Sequence, residues 1–150
     1  MGSLLCLKTY EDVFDATQLA MDTSGAHTWK LAVFDSSLAI DVETFTAYGV
    51  APFNAGEAAG GGYSAGGATF VPTWAIQAGS QRLRWNSGLV SIANVTDVFR
   101  YLLHYDDTLA GNNAFYVCDL GGDVPAVAET VNFTPGANGW FRLRGLRASA

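Results

Sequence analysis

Val98-Phe99-Arg100-Tyr101-Leu102-Leu103-His104-Tyr105-Asp106, VFRYLLHYD, is the stretch on which the fold turns. Read with the period of two that a pleated strand imposes, Phe99, Tyr101, Leu103 and Tyr105 fall on one face and Val98, Arg100, Leu102 and His104 on the other. Both faces carry bulk. A strand at the edge of a half-solvated sheet needs only one apolar face, so this pattern predicts a central strand covered on both sides.

Working outward, strand and turn signals alternate along the chain. Thr28 to Phe34 reads as a strand around Trp29, Leu31 and Val33, and Ala68 to Ile76 as another, with Pro72 pushing it to a sheet edge or a bulge. Arg82 to Trp85 and Gly88 to Ile92 follow, with turns at Asn86-Ser87 and around Asn94. Beyond the turn at Ala110 to Asn113 come Ala114 to Leu120, a Gly-Gly-Asp turn at Gly121 to Asp123, then Glu129 to Thr134. The last strand is Trp140 to Leu146, with Phe141 and Leu143 toward the core and Arg142 and Arg144 outward. The expectation is a mainly β, single-domain antiparallel β-sandwich or barrel-like fold of seven to eight strands. Residues 1–26 precede it as an N-terminal arm or short helix, in which Tyr10 to Met21 places Val13, Phe14, Ala16, Ala20 and Met21 on one side. The β domain spans 27–150 and contains a glycine-rich loop at 49–67, with GGGYSAGG at Gly60 to Gly67.

The 150 residues suit one core. With 49% hydrophobic and only 15% charged residues, the chain is too apolar for disorder, and its charge-poor composition suggests a surface partly covered by other subunits. A net charge of −6 argues against nucleic acid, whose binding needs clustered Lys and Arg. The acids concentrate early: residues 1–75 hold eight against Lys8 and Lys30, while Arg142, Arg144 and Arg147 make the C-terminal stretch basic. An acidic front and a basic tail can meet between neighbouring subunits. No stretch approaches the roughly 18 apolar residues of a membrane span, and no targeting segment is visible.

Chemistry is hard to find. His27 and His104 lie far apart and in no metal spacing, and Cys6 and Cys118 form no motif. The glycine loop lacks the Lys-Ser or Lys-Thr ending of a P-loop, and no nucleophile motif occurs. Asp119 and Asp123 adjoin turn residues, where Asp ordinarily caps the backbone, and a calcium role for either is the less favoured reading. The expectation is therefore no enzyme, no cofactor and no resident metal. Glycines permit positive φ and close approach of another chain, with Tyr63 as an amphipathic anchor. The candidate contact residues are Tyr63, Gly62, Gly66, Gly67, Phe14, Arg142, Arg144 and Arg147.

Several of these segments resemble one family. Thr28-Trp29-Lys30-Leu31-Ala32-Val33-Phe34, then Gly56-Glu57 and Gly62-Tyr63-Ser64-Ala65-Gly66-Gly67, are similar to the "FK[IL]ALY" and "GEV.GTGYTAGG" segments of a widespread group of small tailed-phage virion proteins. Phe99 to Asp106 resembles that group's "ARGALIYN" strand, and Phe115 to Asp123 its "AVAVLDFGGD". Asn132-Phe133-Thr134 and Gly139 to Leu143 are similar to its last two strands. The resemblance spans Thr28 to Leu143 and departs at Ala58-Ala59-Gly60 and in the longer acidic N-terminal segment. It implies a virion component without enzymatic activity, first of all a capsid decoration or cement protein assembled in the host cytoplasm. Its partners would be itself, as a trimer, and the major capsid protein or other virion proteins, with neither nucleic acid nor membrane among them. A tail, collar or baseplate component is the second expectation. A carbohydrate- or receptor-binding module using Trp74, Trp85, Tyr63 and Trp140 is the third.

Overall fold

A computed structural model describes residues 4–5, 27–41, 43–77 and 82–144. Apart from Leu4 and Leu5, the expected arm at 1–26, with its helix and Phe14, lies outside the described residues, as does Arg147. The strands are β1 (Leu4–Leu5), β2 (Trp29–Phe34), β3 (Ala68–Phe70), β4 (Pro72–Gln77), β5 (Arg82–Ser87), β6 (Val90–Asp106), β7 (Ala114–Phe133) and β8 (Phe141–Arg144). All pairings are antiparallel. They form two sheets, one in the order β1-β7-β6-β2-β3 and one in the order β4-β5-β8. Among the described residues the two separate sheets make an all-β, sandwich-like fold.

The VFRYLLHYD stretch is the second half of β6 and stands between β7 and β2, as two bulky faces require. One face joins Trp29, Leu31, Val33, Leu102, His104, Phe115 and Tyr116 to the small sheet. Trp85 of β5 is the hub there, with ring contacts to Trp29, Phe70, His104, Phe115 and Phe141 at 4.7–5.7 Å. The other face packs Ala32, Phe34, Leu103, Tyr105 and Val117 under Leu38, Phe45 and Phe53 of the 35–55 loop. The large sheet is thus covered by strands on one side and by loop on the other.

Pro72 is the first residue of β4, which is an edge strand, so its missing N–H costs no ladder bond. The chain changes sheets at Val71, dividing the single strand expected at Ala68 to Ile76 into β3 and β4. β5 runs on to Ser87, beyond the expected turn at Asn86-Ser87.

Two further expectations are corrected. The turns at Asn94 and at Gly121 to Asp123 are irregularities inside two long strands, because the ladder partner continues past each. Near Asn94 (φ 52°) two β6 residues face one on β7, and near Ala128 (φ 52°) the imbalance reverses. At the Gly-Gly-Asp segment, Phe99 pairs with Val124 and Tyr101 with Asp119, leaving Leu120 to Asp123 opposite Arg100 alone. That excursion shifts side-chain parity. Phe99 joins the face of Leu102, whereas strict alternation had placed it with Tyr101 and Leu103.

Candidate interaction surface

The glycine-rich segment becomes ordered through a carboxylate. Glu57 accepts hydrogen bonds from the Tyr48 hydroxyl (2.8 Å), the Tyr63 hydroxyl (2.8 Å) and the Gly66 amide (2.6 Å). The Tyr63 oxygen in turn accepts the Val33 amide at 3.0 Å, and Tyr105 donates to the Gly66 carbonyl at 2.8 Å. Tyr48 lies flat on Tyr105, with centroids 4.6 Å apart. Burial, helped by the neighbouring Glu57 carboxylate, pushes the Tyr48 hydroxyl up to about 12. Burial first, with further help from Glu57, raises Tyr63 well beyond the ordinary phenol range. Burial likewise raises Tyr105.

The glycines therefore bring the loop close to this chain's own strands. A Cβ on Gly67 would stand 1.9 Å from the Leu31 carbonyl oxygen, and one on Gly61 2.0 Å from that of Asn94. Gly66 is buried, Gly62 packs beside Asn94, and Gly61 bridges Val95. The run from Gly56 to Gly62 sits between the end of β2 and the first half of β6, bonding Asp35, Val33, Asn94 and Thr96 by main chain. Tyr63, Gly62, Gly66 and Gly67 are thus held by internal contacts, which account for their composition without a second chain. Glu57 stood in the quoted motif, yet nothing in a linear pattern marks it as the acceptor for three donors.

The other polar sites are closed as well. His104 is fully buried among Phe70, Trp85, Tyr116 and Trp140, with centroids 4.6–5.5 Å away, and neither ring nitrogen has a well-formed hydrogen bond. Burial lowers its pKa to about 3. His27 Nδ1 pairs with the buried Asp106 carboxylate, whose other oxygen accepts the Thr108 amide. Asp119 takes Arg100 through both oxygens, at 2.9 and 3.1 Å, and this bonding holds its carboxyl below the usual range. Among the described residues Asp123 accepts the Ser36 hydroxyl, at 3.4 Å. Among the described residues no three His, Cys, Asp or Glu side chains converge on a metal position. Trp85 is core, and Trp74, Trp140 and Tyr63 pack against that core.

The small sheet has a different character. In its register Arg82 stands opposite Arg144 and Arg84 opposite Arg142. Half of the chain's eight cationic residues therefore occupy one two-by-two block of a three-stranded sheet. Alternation sets Arg84 and Arg142 on the face opposite the core residues Trp85 and Phe141. Arg84 donates to the Ala137 carbonyl (2.7 Å) and Arg142 to the Asn138 side chain (2.6 Å). Among the described residues no carboxylate pairs with Arg82, Arg84 or Arg142. Like charges directly opposite across a ladder weaken it, and here the neutral Ala137 carbonyl and Asn138 side chain are what Arg84 and Arg142 bond. The intervening register row, Ile76 opposite Leu83 opposite Leu143, is apolar and lies on the other face, with Trp85 and Phe141; at the edge of that face Ile76 is 82% exposed. Arg142 and Arg144 were visible in the sequence as a basic tail. Arg82 and Arg84 were missed, because only the β5–β8 register brings them alongside.

No family model, characterised protein or solved structure matches this chain.

Proposed function

We propose that this chain is a structural subunit of a bacteriophage virion, foremost a capsid decoration or cement protein that stabilises the head by contacts with copies of itself and with the major capsid protein. The observation that carries a building role is the small sheet, whose register sets Arg82 beside Arg144 and Arg84 beside Arg142, with no carboxylate partner for Arg82, Arg84 or Arg142 among the described residues. An arginine-bearing face of that kind is suited to an acidic protein partner, with charge setting the register of the contact. The resemblance of Trp29 to Phe34, Gly56 to Gly67 and Phe99 to Asp123 to small tailed-phage proteins supplies the virion context. Modest contacts repeated over a closed lattice give such a subunit its hold.

The test is copy number and consequence. Quantitative mass spectrometry of the purified parent particle should find hundreds of copies, and particles stripped of the protein should lose resistance to heat or low salt. A dozen or fewer copies would favour the tail, collar or baseplate, and absence from the particle would refute the virion reading altogether.

A further inference from the structure

The turn that leads into β8 carries a reactive pair. Asn138-Gly139 is the one Asn-Gly step in the chain, whose six other asparagines precede Ala, Ser, Val, Asn, Ala and Phe. Packing dictates the glycine. Gly139 stands at φ +73°, and a Cβ there would lie 2.2 Å from the Trp85 carbonyl oxygen, which accepts the Trp140 amide at 2.9 Å. The residue after Asn138 therefore has no side chain to shield its amide nitrogen. Asn138 itself is exposed, and its side-chain oxygen accepts a hydrogen bond from Arg142 Nη1 at 2.6 Å. A guanidinium only donates, so the oxygen of the Asn138 amide, and not its nitrogen, faces Arg142. Arg142 stands opposite Arg84 in the β5–β8 register and has no carboxylate partner among the described residues.

From this geometry we propose that Asn138 is a self-modifying site, where loss of ammonia turns a neutral ligand of Arg142 into a carboxylate and lowers the charge of the arginine face as the protein ages. The Gly139 amide gives its proton to water and its nitrogen attacks Asn138 Cγ. The new N–Cγ bond closes a succinimide ring, the Cγ–Nδ2 bond breaks, and the departing nitrogen takes a proton from water to leave as ammonia. A water molecule then adds to either ring carbonyl and breaks its bond to the ring nitrogen, leaving an aspartyl or an isoaspartyl residue with one added negative charge. Nothing is oxidised or reduced. The Arg142 guanidinium polarises the Asn138 carbonyl and stabilises the oxyanion that forms on Oδ1 as the nitrogen adds. One contact opposes the step: the Gly139 amide donates to the Gly136 carbonyl at 2.9 Å, and that bond opens first. It is a single bond in a turn whose Gly136, Ala137 and Asn138 are all exposed, where local opening is easiest. The consequence for the face rests on the assembly reading above. A carboxylate at this turn pairs with Arg142 within the molecule, so an acidic partner is held less firmly by aged copies than by new ones.

The experiment follows the full chain through prolonged warm incubation at mildly alkaline pH. Peptide mass spectrometry reads the gain of about 1 Da at each asparagine, and isoaspartyl methyltransferase labelling reads the isomerised product. In the native protein Asn138 should convert at least about tenfold faster than any other asparagine, because its neighbour's amide alone is unshielded by a side chain. Arg142→Met should slow that conversion about threefold or more, since the oxyanion then loses its donor. Thermal melts check that each variant folds, and Arg142→Gln replaces Arg142→Met if it does not. An Asn138 that stays intact, or converts no faster than the other asparagines, overturns the site; an unchanged rate in the Arg142 variant overturns the part given to the guanidinium. The effect on the face is read by rebinding to parent particles stripped of the protein, with Asn138→Asp for the aged state and Asn138→Gln, which keeps the neutral amide, for the new one. Asn138→Asp should rebind at least about threefold more weakly at low salt, and equal rebinding overturns the charge consequence. If neither variant rebinds, the assembly reading fails and the charge consequence falls with it, while the conversion at Asn138 is still judged by the mass spectra.

Discussion

Replacing His104 by Phe tests the core most directly. The imidazole is enclosed by four aromatic rings and has no solvent contact. Burial lowers its pKa from an ordinary 6.5 to about 3, opposed only weakly by the backbone of Tyr116 and Leu102. Above pH 6.5 the ring is neutral in the folded and unfolded chain alike, and the fold keeps its full stability. As the pH falls from 6.5 toward 3, the unfolded chain binds a proton that the fold still refuses, and stability is lost through that window. At about 1.4 kcal/mol per pH unit, the loss reaches about 2 kcal/mol by pH 5 and about 4 kcal/mol near pH 3. Phe fills the same aromatic box without titrating, so His104→Phe should remove this slope while changing stability at pH 7 by about 1 kcal/mol or less. Urea unfolding followed by tryptophan fluorescence, with Trp85 5.4 Å from the ring, reads the midpoint at pH 7, 6 and 5. His27→Asn run in parallel separates the contribution of the chain's other histidine. A His104→Phe midpoint that falls between pH 7 and 5 as steeply as the native one would refute the argument.

Three further outcomes follow from the glycine segment and its carboxylate. Gly67→Ala, at φ +75° with a Cβ 1.9 Å from the Leu31 oxygen, should cost about 3 kcal/mol or more by urea titration. Gly49→Ala, at φ +81° in open space, should cost only about 1 kcal/mol. Glu57→Ala strands two tyrosine hydroxyls and an amide and should cost about 2–4 kcal/mol, whereas Tyr63→Phe should cost about 1–2 kcal/mol in the same assay. In a spectrophotometric base titration, Tyr48, Tyr63 and Tyr105 should stay un-ionised through pH 11, so half of the six tyrosines appear only on alkaline unfolding.

Much of the architecture was written in local pattern. Two bulky faces marked β6 as central, and Pro72 marked the start of an edge strand, because each depends on a residue's own geometry. Glycine at 121 and Asn at 94 were correctly seen as breaks in extended geometry. Whether such a break turns the chain back or only kinks it depends on whether a partner strand continues past it, and that information lies some thirty residues away, in β7 for Asn94. The reversal of Phe99 has the same origin. For the interaction surface the limit is similar: Arg142 and Arg144 announce themselves in sequence, but their meeting with Arg82 and Arg84 is a property of register between strands roughly sixty residues apart. Glu57 was hidden for another reason. A carboxylate in a polar loop looks solvated until its three donors are brought to it.

The four residues Leu120 to Asp123, facing Arg100 alone, also act as a mechanical insulator. On one side of them the β6–β7 ladder is locked between two packed layers; on the other, Val90 to Phe99 and Val124 to Phe133 form a ribbon whose outer edge has no strand partner among the described residues. A pull on that ribbon would load its ladder bonds only as far as the excursion, where no continuous pairing remains to carry the load inward. The insulation is one-sided: Val90, Ile92, Val95, Phe99, Ala126 and Phe133 of the ribbon belong to the buried cluster of Trp85, so a disturbance there reaches that layer through side chains, while the Tyr105 layer on the other face is spared.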